Sequence, residues 1–411
     1  VRTIAFWFAQ ILIFMIPWED SVTLGSLGSL TRVVGLAVAV FWVLTVLAEG
    51  RFRKPCFFHV ALFLFFLWNV VSAFWSMGID QTQLRIKTYA QLCVMVLMLW
   101  DLYRTSAHLK AGLQAYVLGA WVCIISTTLN YLAGQEAFLY SEGRYSATGI
   151  NANDLAIILM LGVPAAWYLA SSPGGRDGTL HRISRLANYA YVPAAFFAAA
   201  LTASRTGLFA AVPAILYIIG TATRLKLGAR IVILGALIAA TLSLLPHIPQ
   251  SSTGRLETAM TSLSVADLGG RAALWRTAIE AFSTHPLLGV GSGAFPATNR
   301  FGAVAHNSFL SVLAESGIVG FSLFALVLAI VVHQATHLTR EYSRLWFAAL
   351  LVWAIGASAL TWEHRKPTWL FLSFVVITAG FSFRRVEDQE PAADVGALPI
   401  AVPGLSTHQG E

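Results

Sequence analysis

Charge is what this 411-residue chain has least of. Only 11% of its residues are Asp, Glu, Lys or Arg, against roughly 25% in an ordinary soluble domain. That shortage excludes a water-soluble globular fold, and no nucleic-acid partner is expected. Cysteine is also scarce. Cys56, Cys93 and Cys123 all fall in apolar runs, so they read as packing residues, with neither a disulfide framework nor metal-ligand spacing. A leader-type cleavage site is missing too: the first apolar run ends at Ile16-Pro17-Trp18-Glu19 with no small-x-small pattern, so it is expected to stay as a span.

What the chain has in abundance is apolar surface, at 57% of residues with a mean hydropathy of +0.69. Runs of about 17 to 22 apolar residues recur, each long enough to cross roughly 30 Å of hydrocarbon as a helix. The expected fold is all-α and multi-pass, with about twelve spans at 3–17, 31–48, 56–76, 88–102, 111–132, 153–171, 187–203, 206–221, 230–246, 308–333, 344–361 and 368–383. This divides the chain into nine spans over 1–246, a large loop with interfacial helices over 247–307, three spans over 308–383 and a disordered tail over 384–411. The short basic connections, such as GRFRK and TRLKLGAR, are assigned to the cytoplasm, which puts both termini inside.

Cations on the other face have no such topological reason. Arg205 follows Ser204 in the short turn LTASRTG and opens a helix at its positive end, where a cation is unfavourable unless an anion is near. A diphosphate fits that place; so does a lipid headgroup reached by snorkelling. The preceding loop, SEGRYSATGINAND, carries Arg144 and Asn151. Asn151, Asn153 and Asp154 can cap the next helix or hydrogen-bond sugar hydroxyls, and capping explains Asn153 and Asp154 without any ligand. Arg85 and Lys87 in GIDQTQLRIK read as headgroup anchors or as substrate contacts. His364, Arg365 and Lys366 in WEHRKP are candidates for lipid or acceptor phosphate.

Two further stretches belong to the same face. In GGRAALWRTAIEAF, Leu274, Trp275, Ala278, Ile279 and Phe282 make one side of a helix expected to lie along the interface, with Arg276 and Glu280 opposite and Arg271 one turn before Trp275. HPLLGVGSGAFP then turns back through Gly289, Gly291 and Gly293, where backbone can come close to a ligand. The stretch HNSFLSVLAESGIVG reads as loop into helix, with Asn307 or Ser308 as N-cap and His306 at the positive end of the helix dipole. That end favours the neutral imidazole, the form able to take a proton. Taken alone, the same histidine also fits a loop anchor.

The combination of RxxxW at Arg271–Trp275, HPLLGVGSG, HNSFLSVLAESGIVG, SRTG and GRYSATGINAND resembles the bacterial O-antigen ligase and polymerase superfamily, over most of spans five to ten. The resemblance implies a GT-C-like inner-membrane glycosyltransferase with a periplasmic helical cap. Its donor would be a polysaccharide on undecaprenyl diphosphate, its acceptor a lipid A-core sugar, and membrane lipids its surroundings. The residues that carry over are His306 as catalytic base and Arg205, Arg271 and Arg144 on the diphosphate. Arg85, Lys87, Asn151, Asn307 and Arg365 are further substrate-binding candidates.

Elementary chemistry agrees. A sugar hydroxyl is a poor nucleophile, and a general base is worth about 10²- to 10⁴-fold. The diphosphate needs only its growing charge stabilised. No Asp-x-Asp pair lies on the outer face, so the expected reaction is metal-independent, needs no cofactor, and inverts the anomeric carbon. Glu315, about 13 Å along the helix from His306, reads as a structural partner to a cation. Polymerisation from the same donor and flipping of a lipid-linked oligosaccharide are the alternatives.

Overall fold

A computed structural model of the protein describes residues 1–25, 28–137, 143–172, 178–250, 254 and 271–387, with side chains up to 382. Arg255 and the tail from 388 onward lie outside the described residues, so the expectation of a disordered tail is not addressed there. The described chain is helical, and its one β-bridge joins Thr23 to Ser29.

The helices are α1 (Arg2–Met15), α2 (Leu30–Glu49), α3 (Phe57–Val71), α4 (Ile79–Leu102), α5 (Ser106–Leu132), α6 (Ala152–Ser171), α7 (Thr179–Leu201), α8 (Arg205–Thr221), α9 (Leu227–Leu244), α10 (Arg271–Thr284), α11 (Ser308–Thr336), α12 (Arg340–Ala359) and α13 (Lys366–Glu387). Each expected span falls on one of these. Among the described residues, eight helices are long and apolar enough to cross a membrane, and 2–18 and 366–382 are shorter apolar stretches. Helices α4 and α7 run beyond their apolar parts into the polar segments IDQTQLRIK and TLHRISR.

Helix α6 is the axis of the bundle. Its sequence is apolar on every side and almost all of it is buried, as expected for a helix with no polar face. Close neighbours need small residues: any Cβ on Gly162 would collide with Tyr191, and one on Gly356 of α12 would press on Ile157. Pro164 interrupts the helix ladder. In the turn just before it, the hydroxyls of Tyr116 and Tyr191 donate to the carbonyls of Ile158 and Leu159, each at 3.0 Å. At the other extreme, α9 buries no residue. Its exposed Ile231, Val232, Ile238 and Leu242, like Leu36, Leu44 and Leu47 of α2, form an apolar exterior that only a lipid solvent tolerates.

The two ends of the bundle differ. At one, fully buried Asp101 accepts from Arg2, Trp42, the Arg53 backbone and Arg104 at 2.7–3.1 Å. The Arg53 guanidinium lies over Trp100 and against Gly380, so the N-terminal end of α1 and the C-terminal part of α13 share this end. The opposite end gathers the segments 16–25, 72–78, 143–151, 202–204, 285–307 and 360–365, and with them the candidate site.

Residues 308–333 are not one straight span. Gly317 has φ 62° and ψ −169°, which breaks α11 into a short helix over 308–316 and a long one beyond. The carbonyls of Ala314, Glu315 and Ser316, orphaned by the break, accept from Val290 N, Gly291 N and Trp68 Nε1 at 2.9–3.0 Å. Ile318 N donates to Pro286 O at 2.8 Å. Gly289, Gly291 and Gly293 therefore make their close approaches to Glu315, Ser76 and Arg85, which corrects the reading of that turn as backbone open to a ligand. Gly289 lets the turn dock on the broken helix, while Gly291 and Gly293 let it dock on Ser76 and on Arg85 of α4.

Candidate functional site

His306 sits in the left-handed region, at φ 50°, a conformation that an L-residue holds only when its surroundings impose it. The surroundings here are the turn between α12 and α13. His306 N donates to Thr361 Oγ1 at 3.1 Å, Ser308 Oγ donates to Leu360 O at 2.9 Å, and Trp362 N donates to Ser308 Oγ at 2.7 Å. Of the two cap candidates, Asn307 is the one: its Oδ1 accepts from Phe309 N and Leu310 N at 3.0 and 3.1 Å. It is thereby occupied by the helix. The imidazole itself is half-buried. Burial pushes its pKa down, the Arg271 guanidinium pushes it further, and the Asp154 carboxylate opposes both. Neutral imidazole is the outcome at pH 7.

The arginines arrive from two helices. Ser204 caps α8, its hydroxyl accepting from Gly207 N at 3.2 Å, and Ala203 before it has φ 47°; this tight turn fixes Arg205 as the first helical residue. Arg271 opens the described part of α10. That helix packs on α11, and Leu274 and Ala278 are its face buried against protein, while Ile279 is half exposed. Ala278 shares a small core with Ala305 and Ala314, which brackets His306. Burial lowers the pKa of Arg271, and the Arg205 charge lowers it further. Two cations held that close in partial burial favour an anion between them.

Arg144 reaches the same turn by another route. Its Nε donates to Thr202 O at 2.8 Å and its Nη2 to Asn153 Oδ1 at 3.0 Å, so it ties the 143–151 loop to the start of α8 and the start of α6. Asn151 caps α6 through Asn153 N at 2.9 Å. Both line a polar cleft of about 440 Å³ together with Asn130, Gln135, Glu136 and Thr148.

Beside His306 lies a layer of ion pairs. Trp362 Nε1 donates to Asp154 Oδ1 at 2.7 Å, so the turn that holds His306 also holds the carboxylate facing it. Arg365 bridges Asp154 at 3.2 Å and Asp20 at 2.9 Å. Burial works against its charge and the two carboxylates outweigh burial, raising its pKa. Lys366 pairs with Glu19. Arg85 binds Glu363 at 2.7 Å and faces Glu315 at 3.8 Å, while Gly293 N donates to Glu315 at 2.7 Å; the cation partner expected for Glu315 is Arg85. Arg85 and Arg365, considered above as substrate contacts, are thus already occupied by carboxylates. His364 is 3.1 Å from Glu363, and burial followed by the Arg85 charge takes its pKa down to about 4. It is neutral at pH 7 and supports Glu363 by hydrogen bonding, leaving Arg85 as the charge partner. Lys87 is exposed on α4 and joins none of these contacts among the described residues.

Sequence reasoning missed the roles of Asp20, Thr361, Trp362 and Glu363, and saw Asp154 as a helix cap or a sugar-hydroxyl contact, whereas the cap is Asn151. The one signal available was the acidic pair Glu19–Asp20 ending an apolar run, opposite the basic pair Arg365–Lys366 beginning another.

Residues 190–325 match the protein-family model described as O-antigen ligase. That range takes in Arg205, Arg271 and His306. No curated protein matches the chain.

Proposed function

From its place in the O-antigen ligase and polymerase superfamily, we propose that this membrane protein is an O-antigen ligase, moving a polysaccharide from undecaprenyl diphosphate to a sugar hydroxyl of lipid A-core. The reaction takes place at the periplasmic face of the inner membrane, with both termini in the cytoplasm. The observation that supports this reading is the neighbourhood of His306: a neutral imidazole near both the Arg271 guanidinium and the Asp154 carboxylate, with Arg205 near Arg271.

In the proposed step the acceptor oxygen forms a bond to the anomeric carbon, and the bond from that carbon to the diphosphate oxygen breaks. The hydroxyl proton passes to the His306 imidazole as the bond forms. The electron pair leaves with the diphosphate, whose growing charge Arg205 and Arg271 receive. Arg144, held on the Thr202 carbonyl, positions the turn that aims Arg205. Asp154 stabilises the imidazolium that forms, and a single displacement inverts the anomeric carbon. No metal enters the step.

The test is reconstitution of purified protein with the lipid-linked donor and lipid A-core. Ligated product is expected, with a loss of about 10²- to 10⁴-fold in His306→Ala. Elongation of a second lipid-linked repeat unit instead of ligation would make the protein a polymerase, and labelled lipid that only changes leaflet would make it a transporter.

A further inference from the structure

A second cavity, of about 510 Å³, opens between α1, α2, α4 and the turn joining α12 to α13. One end carries Glu19, Asp20, Arg32, Arg365 and Lys366, and the rest of the lining is mainly apolar, with Leu12, Leu36 and Met95 from three different helices and Gln91 among them. At 1.5 Å per residue, the lining runs about 10 Å along α2 from Arg32 to Ala39 and about 15 Å along α4 from Thr88 to Met98. Leu36 is 65% exposed, so the cavity is open sideways toward the surrounding lipid. Charged at one end and mainly apolar for about 10–15 Å beyond, it has the shape of a seat for a lipid with its head at the charged end.

That end selects the charge of the head. Arg365 and Lys366 are occupied by Asp20, Asp154 and Glu19. Arg32 is different. Its backbone N–H bonds to Ser29, but its guanidinium, half-buried at the cavity, has no hydrogen bond or ion pair among the described residues. Room is kept for it by Gly28, where a Cβ would stand 3.1 Å from Arg32 Nη1. A phosphate is the complement of such a group.

The direction of approach decides which lipid. Asp154, the carboxylate near His306, pairs with Arg365, and Arg365 pairs with Asp20; Arg365 and Asp20 both line the cavity, whereas neither Arg205 nor Arg271 does. The cavity is therefore linked to His306 through Arg365 and Asp154 and not through the arginine pair. In a single displacement the attacking hydroxyl and the leaving diphosphate lie on opposite faces of the anomeric carbon. With the diphosphate on Arg205 and Arg271, the Asp154 side belongs to the nucleophile.

We propose that this cavity seats the acceptor, an acylated and phosphorylated glycolipid, with an acyl chain against Leu12, Leu36 and Met95 and a phosphate on Arg32, the donor's prenyl chain lying elsewhere. The assignment of acceptor over donor rests on the glycosyl-transfer reading above.

A photo-crosslinking amino acid at position 36 of the full chain, in nanodiscs, tests it without turnover. Lipid A-core and the undecaprenyl diphosphate-linked polysaccharide are supplied in turn, and the crosslinked lipid is identified by mass. Lipid A-core is expected, its yield falling about ten-fold in Arg32→Glu and recovering in Arg32→Lys. Capture of the prenyl donor, or of bulk phospholipid undiminished by lipid A-core, overturns the proposal. Capture of lipid A-core by a protein that forms no product leaves the seat standing and sinks the transfer reaction, so the two failures are told apart. Where product forms, Arg32→Ala is expected to raise the acceptor KM about ten-fold with donor KM and kcat unchanged; a rise in the donor KM instead is equally fatal.

Discussion

The backbone N–H of His306 donates to Thr361 Oγ1 at 3.1 Å, a contact across 55 residues that holds the histidine in a left-handed conformation. Removing the hydroxyl leaves the strain without its support. Thr361→Val is expected to lower kcat by about ten-fold with little change in either KM, and Thr361→Ser to restore it. Steady-state kinetics on the purified variants decide it; unchanged kcat in the valine variant would mean that the loop holds the histidine by itself.

Activity should fall on the acid side as His306 takes up a proton. Since burial and Arg271 lower its pKa, the midpoint of kcat/KM against pH is expected below the ordinary value of about 6.5. Removing the cation in Arg271→Gln moves that midpoint up. Asp154→Asn, which removes the group that raises the pKa, moves it down. A midpoint that stays put in both variants would show that another group is titrating.

Gly317 breaks α11 with a positive φ, and any Cβ there would overlap the carbonyl of Leu287. Gly317→Ala is expected to destabilise by on the order of 3 kcal/mol, from backbone strain and steric overlap together. Gly220 in α8 meets open space, and Gly220→Ala is expected to be neutral or to stabilise by up to about 1 kcal/mol. Thermal unfolding in one detergent, with the two variants side by side, gives the comparison.

At the far end, Asp101 is fully buried among four donors. Asp101→Ala leaves the buried Arg53 and its neighbours without their acceptor, a loss of about 3–5 kcal/mol. The expected result is a lower midpoint of unfolding and lower yield, with the KM values of the protein that does fold unchanged.

The helices were legible because they are written in local pattern: apolar runs mark each span, and residues 271–284 carry helical spacing. Their caps were legible only in part, since local pattern leaves Asn307 or Ser308 open before 309 and the α6 cap is Asn151, with Asn153 and Asp154 inside the helix. Arg205, Arg271 and His306 could be singled out because a cation or an imidazole at a helix start asks for an explanation. What stayed hidden depends on partners far away in the chain. Nothing near Gly317 says that the helix breaks there, since the donors that satisfy its freed carbonyls come from Trp68 and from residues 290–291. Nor could the spacing show that Arg85 and Arg365 would be met by Glu363, Asp154 and Asp20.

The break at Gly317 sets how high the imidazole stands. Because the short helix over 308–316 is fastened to Trp68, to the 286–291 turn and to Thr361, the vertical position of His306 follows the protein's own scaffold. A thicker or thinner bilayer can tilt the long segment beyond the break without lifting or sinking the imidazole, so the proposed transfer is expected to run at a rate insensitive to the chain length of the host phospholipid.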